Sequence, residues 1–294
     1  MKTNFFDVPR TYYTTSYTRT QVPMFFYKMA ARIINYFIDY DRALPKLEGT
    51  GLKPCRFFKN KAMVSLTFFN YQEVTIGGYD EVVITIMVYP ESLPEPSHPL
   101  STILFLKKGE WWKNMGSYVL EMPVTIPAAR AAGREIWGFP KFLTTIPYSL
   151  TGNRFEFGVN DPDTNESIVE VKGEMGPGFS AKAFDFVSFN NYEDTIFKVI
   201  TEVNGKMKTC MCKNVKVKAG SGDHRMAKNI RDLGLETAKP MVIMSSDYLQ
   251  TRLNPGRPIA NWNSPALPYT YEQEVAFYVK QRELLGEAKG EAGV

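Results

Sequence analysis

The sequence predicts a mainly β (α+β) fold: one domain, residues 1–294, with a curled antiparallel β-barrel-like core and peripheral helices. Three observations support this prediction. Short β-prone runs follow one another from about residue 56, turn-forming residues separate many of them, and no linker or repeat divides the chain. The apolar fraction of 44% is ample for the buried core of a domain of this length.

The first predicted element is a helix over residues 24–38, MFFYKMAARIINYFI. Lys28 and Arg32 stand four residues apart, on one side of such a helix, and apolar residues surround them. We therefore expect a mostly buried helix whose two cations form a solvated stripe.

The middle of the chain predicts strands. Its runs are rich in β-branched and aromatic residues and have the length of ordinary strands. They cover residues 62–71, 81–90, 101–108, 117–126 and 141–150.

Two hairpins are predicted further along the chain. The first covers residues 153–173, with its turn at Asp161, Pro162, Asp163 and Asn165. The second covers residues 197–218, with Asn204 and Gly205 between two extended arms.

The C-terminal half contains a segment of ambiguous structure, a pair of cysteines and a predicted closing helix. Residues 194–201 also fit the start of a helix. Cys210, Cys212 and Asn214 alternate with Met211, Lys213 and Val215. This places both thiols on one face of a strand, as packing groups rather than metal ligands. Residues 270–294 predict a closing helix with a frayed Gly/Glu/Ala tail.

The composition argues against several functions. Thirty-five Lys and Arg against 31 Asp and Glu leave a net charge of +4, spread along the chain, which does not indicate nucleic-acid binding. The N-terminus lacks the apolar segment of a signal peptide, and the apolar runs are too short to span a bilayer. We expect a cytoplasmic protein with no nucleic-acid or membrane partner.

Cysteine and histidine are scarce. Three cysteines with one close pair do not imply a disulfide framework. His98 and His224 lie outside any zinc motif or Ser-His-Asp pattern. We therefore expect no metal site and no histidine-based catalysis.

Lys141 stands in an unusual setting, within RAAGREIWGFPKFLTT at residues 130–145. Its neighbours are large and apolar, and a lysine ammonium is costly to remove from water. Burial disfavours the charged form, so the same setting favours a neutral, nucleophilic amine. The alternative is a structural lysine at a strand end whose ammonium reaches water.

Two segments resemble the acetoacetate decarboxylase family. GREIWGFPK, residues 133–141, resembles its signature, in which Gly-Arg-Glu is followed by an aromatic-Pro-Lys at this distance. GGYDE, residues 77–81, is similar to the family's Tyr-x-Glu segment, and Glu81 matches its active-site glutamate. The resemblance is strongest over about residues 60–150.

This resemblance implies roles for five residues. Lys141 forms a Schiff base with a ketone, and Glu81 exchanges protons with the intermediates. Tyr79, Trp137 and Phe139 shape a dry substrate pocket.

Arg134, Glu135 and Phe142 of the same segment have further interpretations. Arg134 and Glu135 either contact the substrate or form a structural ion pair at a turn. Well-known family members carry a second lysine after the first, whereas this chain has Phe142. We expect Phe142 to face away from Lys141, so that desolvation rather than a neighbouring charge activates the amine. The nearest candidate for the family's N-terminal arginine is Arg32.

The resemblance implies a cofactor-independent carbon–carbon lyase, a decarboxylase of a β-keto acid such as acetoacetate, in a homo-oligomer. Its partner is then a small keto acid or ketone. The same iminium supports aldol addition and dehydration. A further alternative is a non-catalytic β-barrel that binds a small apolar ligand, with Lys141 as an ionic contact.

Overall fold

The computed structural model describes residues 4–96, 114–192 and 195–261. His98, the predicted strand at 101–108 and the predicted C-terminal helix lie outside the described residues. One-domain organisation of the whole chain stays a prediction.

The described residues form a predominantly β structure with short helices. The strands are β1 (Thr11–Thr14), β2 (Arg19–Val22), β3 (Met24–Asp39), β4 (Leu52–Pro54), β5 (Lys61–Val74), β6 (Tyr79–Pro90), β7 (Gly116–Val124), β8 (Lys141–Leu143), β9 (Tyr148–Thr151), β10 (Arg154–Asn160), β11 (Ser167–Lys182), β12 (Phe186–Tyr192), β13 (Thr195–Ala219), β14 (Pro240–Leu253) and β15 (Arg257–Asn261). The α-helices are α1 (Tyr40–Ala43), α2 (Pro127–Trp137) and α3 (Arg225–Asp232). Two 3-10 turns lie at Leu44–Leu47 and Phe58–Asn60.

The large sheet curls until β12, at one end, meets β13 in its interior. Apart from the β1–β2 pair, the strands form a 13-stranded sheet in the order β12-β7-β6-β5-β3-β14-β13-β11-β10-β9, with β4, β8 and β15 attached at its sides. Because β12 also pairs with β13, seven strands from β12 to β13 close into a ring. The β12–β7 junction holds a single register pair, Ser188 with Ser117, so the ring is not a regular barrel. The predicted fold class, a curled β core with peripheral helices, is confirmed.

None of the helices in the described part of the chain is long and apolar enough to span a membrane.

The central ring strands β3, β5 and β6 are buried on both faces over most of their length. On β5, Val64, Leu66 and Phe68 are fully buried in the larger core, which also contains residues of β10, β11 and α3. Met63 and Ser65 point the opposite way and line a cavity inside the ring. The period of two along a strand thus divides each ring strand between a packed outer core and the cavity wall.

The predicted helix at residues 24–38 is wrong, because this segment is strand β3. β3 lies between β5 and β14, and burial on both faces removes the polar alternation that would mark a strand. Arg32 is only 2% exposed, and its Nη2 lies 2.5 Å from Asp247, so the predicted solvated stripe is absent from this segment.

Most other predicted strands are confirmed. The runs at 62–71, 81–90 and 117–126 correspond to β5, β6 and β7. The run at 141–150 is divided into β8 and β9 by residues 144–147, which belong to no strand although their backbone bonds to β7 and β10. Proline cannot donate to a ladder, which is consistent with a break at this position.

The first predicted hairpin is confirmed and the second is wrong. β10 and β11 pair across the turn, where Asp161 accepts hydrogen bonds from the backbone N–H groups of Asp163 and Thr164. The second segment is one continuous strand, β13, since its two halves pair with different neighbours. Gly205 has φ 141°, far from the left-handed values that a two-residue turn requires, and it lies at a bulge instead.

The thiols of β13 behave as packing groups, as predicted. Cys210 is 1% exposed and Cys212 packs partly buried against the same core, and both are free. Burial raises the pKa of the Cys212 thiol to about 11. The described part of residues 194–201 is strand rather than the alternative helix.

Candidate active site

The GREIWGFPK segment folds as a helix end, a reversal and the start of a strand. α2 ends at Trp137, and Gly138 takes a left-handed conformation with φ 67°, for which glycine has no steric cost. The Phe139 N–H then donates to the Gly133 carbonyl at 2.9 Å, which turns the chain back along the helix. The Lys141 N–H donates to the Phe139 carbonyl at 2.7 Å across Pro140, a three-residue turn compatible with the fixed φ of proline.

The reversal lays the side chain of Lys141 on the backbone of α2. A Cβ atom at Gly133 would lie 2.3 Å from Cδ and 2.5 Å from Cε of Lys141. Real side chains do not approach so closely, so only glycine leaves room for the lysine in this position. The glycine that opens the motif and the lysine that closes it are therefore one structural unit.

Lys141 and Glu81 form a buried pair. Lys141 starts β8, beside Met122 of β7, and Glu81 lies on β6 opposite Phe69 of β5. Nζ of Lys141 donates to Oε2 of Glu81 at 2.6 Å, and the two side chains are 7% and 3% exposed.

Two tyrosines complete the surroundings of this pair. The Tyr71 hydroxyl donates to Oε1 of Glu81 at 3.0 Å, and the ring centroid of Tyr79 lies 5.4 Å from Nζ of Lys141. Burial, assisted by the nearby charge of Glu81, raises the pKa of Tyr71 and of Tyr79 well above the usual value. Both phenols therefore stay protonated, and Tyr71 acts as a hydrogen-bond donor.

Glu81 acts on the lysine in a way that the apolar sequence around Lys141 does not indicate. Burial alone favours the neutral amine, whereas Glu81 at hydrogen-bond distance stabilises the ammonium. The hydrogen bond also offers a direct path by which one proton can pass from Nζ to Oε2 without movement of heavy atoms. Lys141 and Glu81 should therefore be treated as one acid–base unit.

The pair faces a cavity of about 200 Å³ inside the strand ring. Its described wall is mostly apolar and contains six methionines, which adapt readily to different ligand shapes. The charged residues of this wall are Lys141, Glu81 and Asp185, and Asp185 accepts a hydrogen bond from the Val203 N–H at 2.9 Å. The methionines are Met29, Met63, Met87, Met115, Met122 and Met244.

The structure brings together only some of the predicted site residues. Lys141, Glu81, Tyr79 and Phe139 line the cavity. Trp137 is buried but does not line it, since its Nε1–H donates to the Asn254 carbonyl at 2.9 Å and its ring lies within the protein.

Arg134 and Glu135 also lie away from the cavity wall. Arg134 is exposed on α2. Glu135 accepts hydrogen bonds from the backbone N–H of Ser16 at 2.7 Å and from its hydroxyl at 2.5 Å. Glu135 thus ties α2 to the loop between β1 and β2, and its partner is Ser16 rather than Arg134. Their predicted contact with substrate gains no support from these positions.

Phe142 and Arg32 both point away from the lysine. The Phe142 ring packs on the outer core, 5.1 Å from the ring of His224, so residues 141 and 142 face opposite sides as expected. Arg32 is not part of the cavity wall: its guanidinium bonds the Ala31 and Ser246 carbonyls at 3.0 Å and Asp247. The described wall contains no arginine.

Sequence reasoning missed Tyr71. It lies on β5 directly opposite Tyr79 of β6, and the two strands are joined by a short turn containing Gly77 and Gly78. Counting back from that turn as a hairpin would have placed Tyr71 beside the predicted Tyr79 and Glu81.

These features define a class of protein: a curled β-sheet ring that encloses an apolar small-molecule cavity with a buried lysine–glutamate pair. The family model for acetoacetate decarboxylase (ADC) matches residues 9–221. The chain therefore belongs to the acetoacetate decarboxylase family.

Solved structures with the same fold include two described as acetoacetate decarboxylase. The enzyme from Legionella pneumophila subsp. pneumophila str. Philadelphia 1 has a TM-score of 0.57 at 16% identity, over 88% of this chain and 94% of that chain. A second acetoacetate decarboxylase has a TM-score of 0.54 at 13% identity, over 82% and 91%. The enduracididine biosynthesis enzyme MppR complexed with pyruvate has a TM-score of 0.53 at 12% identity, over 89% and 95%. No curated protein matches the chain.

Proposed function

We propose that this protein is a cofactor-independent carbon–carbon lyase in which Lys141 forms a Schiff base with a ketone, and that its reaction is the decarboxylation of a β-keto acid. The observation that carries this proposal is the 2.6 Å hydrogen bond between Lys141 and Glu81 inside an apolar cavity. Such a pair supplies a nucleophile and its acid–base partner in one contact.

Formation of the iminium moves two protons from nitrogen to the ketone oxygen. Glu81 takes the first from the ammonium of Lys141, the neutral amine attacks the ketone carbon, and the second passes from the new N–H bond to the former carbonyl oxygen, which gives a carbinolamine. Glu81 then returns the proton to the carbinolamine oxygen, which leaves as water. The Tyr71 hydroxyl, 3.0 Å from the other carboxylate oxygen, stabilises Glu81 when it is charged.

The carbon–carbon bond then breaks. The electron pair of the bond to the carboxylate moves into the iminium as CO2 leaves, so that the protonated nitrogen serves as electron sink. The resulting enamine takes a proton at carbon, and water hydrolyses the new iminium to release the ketone and free Lys141. A largely apolar wall favours this step, because the negative charge of the carboxylate is lost as CO2 forms.

Aldol addition with dehydration is the second candidate. The cavity volume of about 200 Å³ leaves space beside a small enamine for an aldehyde to approach. Arg32, the sequence candidate for holding a carboxylate, is turned to the other face of β3, which weakens the case for a small keto acid. A homo-oligomer in the cytoplasm, acting on a keto acid or ketone, completes the proposal.

Borohydride trapping tests the proposal. The protein is incubated with acetoacetate and sodium borohydride, and its intact mass is measured. A gain equal to one isopropyl group indicates decarboxylation before reduction, whereas a gain that retains the carboxylate indicates a Schiff base without decarboxylation. We expect the first result in the native protein and no gain in Lys141→Ala.

Lys141→Arg serves as the matched control, because its guanidinium keeps the positive charge but stays protonated. Turnover or labelling in this variant, or labelling in Lys141→Ala, would refute the assignment. Absence of any gain in the native protein with acetoacetate or acetone would favour a binding protein with an ionic contact at Lys141.

A further inference from the structure

The cavity continues well beyond the lysine–glutamate pair. Residues of β5 and β6 that face it form successive cross-strand pairs, from Tyr71 with Tyr79 near Lys141 to Ser65 with Thr85. Ser65 lies four residues from Phe69, the partner of Glu81, which is a distance of about 13 Å along the strand. The site therefore has room for a chain that extends away from the reacting ketone.

The wall changes character along this path. Aromatic rings surround the pair, the hydroxyls of Ser65, Thr67 and Thr85 follow, and the thioethers of Met63 and Met87 lie beyond them. A purely apolar chain would gain nothing from the hydroxyl-bearing section. The middle of the cavity is thus the place where a polar group of a ligand would be recognised.

Asn35 gives this section an unused donor. It lies on β3 opposite Ser65, lines the cavity and is 3% exposed. The Ser65 hydroxyl donates to Oδ1 of Asn35 at 2.7 Å, which fixes the amide. The Nδ2 group is buried and has no hydrogen-bond partner among the described residues. A buried amide donor without an acceptor is unfavourable, and a ligand oxygen would satisfy it.

We propose that Asn35 determines substrate specificity: the natural substrate is an elongated, mainly apolar ketone or β-keto acid with a hydrogen-bond acceptor oxygen about 13 Å from the reacting carbonyl. This inference rests on the proposed Schiff-base function of Lys141. Asn35 Nδ2 donates to the distal oxygen, Ser65 holds the amide in place, and the methionines contact the chain end.

The test uses borohydride trapping with three ketones. Acetone reports iminium formation alone. A long linear methyl ketone is compared with a matched compound in which an ether oxygen replaces one methylene about 13 Å from the carbonyl carbon. The half-saturating concentration for trapping is measured for each. In the native protein we expect the ether to bind about tenfold more tightly than the all-carbon chain, the effect of one added hydrogen bond to a buried donor.

Two variants locate the effect. Asn35→Leu keeps a similar volume without the donor, and the ratio between the two long ketones should fall to about one. Ser65→Ala keeps Asn35 but frees its amide to rotate, and the ratio should take an intermediate value.

Each outcome is decisive. Failure of acetone trapping in the native protein refutes the proposed function itself. Acetone trapping with equal binding of the two long ketones refutes the inference alone. A preference for the ether that is unchanged in Asn35→Leu, or in Ser65→Ala should the leucine variant not fold, refutes the role of Asn35.

Discussion

Gly133→Ala separates the stability of the fold from the geometry of the lysine. Gly133 lies within helix α2, where alanine is favoured over glycine by about 1 kcal/mol. On helix propensity alone the substitution would stabilise the protein. The methyl group, however, would occupy the space of the Lys141 side chain.

The size of the displacement follows from the distances. An ordinary contact begins at 3.4 Å and the new Cβ would lie 2.3 Å from Cδ of Lys141, so the stem must move by 3.4 − 2.3 = 1.1 Å. Nζ is held 2.6 Å from Glu81, and a shift of this size breaks that hydrogen bond or strains it. A misplacement of about 1 Å in an active site can cost about 100-fold in rate.

We therefore expect Gly133→Ala to lower the rate of acetone trapping by about 100-fold, with a free energy of unfolding within about 1 kcal/mol of the native value. Gly222→Ala is the matched control, because a Cβ there meets nothing within 4 Å. Thermal melts and trapping rates are measured for the three proteins. A native trapping rate in Gly133→Ala would refute the argument that this glycine positions the lysine.

The remaining predictions concern the acid–base pair and its surroundings. Glu81→Gln keeps the shape and accepts the Tyr71 hydrogen bond but cannot exchange a proton, so kcat should fall by about 10²–10⁴ with little change in KM. Steady-state kinetics check this, and a raised KM with unchanged kcat would reassign Glu81 to positioning. Phe142→Lys places an ammonium beside His224 on the outer face, away from Lys141. The pH midpoint of iminium formation should therefore move by less than about one unit, which corresponds to roughly 1.4 kcal/mol. The free energy of unfolding should fall, because the substitution buries a charge. Phe142→Leu is the control, and a large downward shift in Phe142→Lys alone would show that neighbouring charge outweighs desolvation.

The sequence was sufficient for the strands with a clear pattern, and four of the residues it predicted for the site, Tyr79, Glu81, Phe139 and Lys141, line the cavity. β5, β6 and β7 have β-rich compositions and were predicted at nearly their observed positions. It failed where tertiary pairing overrides local signals. The sequence of β3 looks like that of a buried helix, because the strand is buried on both faces. The sequence at Asn204–Gly205 resembles a hairpin turn, although the strands that pair with β13 come from elsewhere in the sheet.

In the candidate site, too, local sequence patterns predict some features and tertiary packing decides the others. The motifs identified Lys141 and Glu81, but the distance between them depends on the packing of β8 against β7, which no local pattern encodes. Tyr71 and Asn35 lie in the cavity wall because of the register in which their strands pair, and no sequence motif marks them. Trp137 and Glu135 stand in the motif for structural reasons, since each holds the end of α2 to another part of the chain. Proximity in sequence to a reactive residue is therefore a poor guide to contact with a ligand.

The close approach of Lys141 to Gly133 also bears on stereochemistry. Its side chain is confined between the backbone of α2 and the carboxylate of Glu81, so the amine reaches the cavity from one direction. An enamine formed on this nitrogen would present one prochiral face to the protonated Glu81 and the other to the apolar wall. Handedness in a product with a new stereocentre would then depend on the space that Gly133 leaves for the lysine as well as on the position of Glu81.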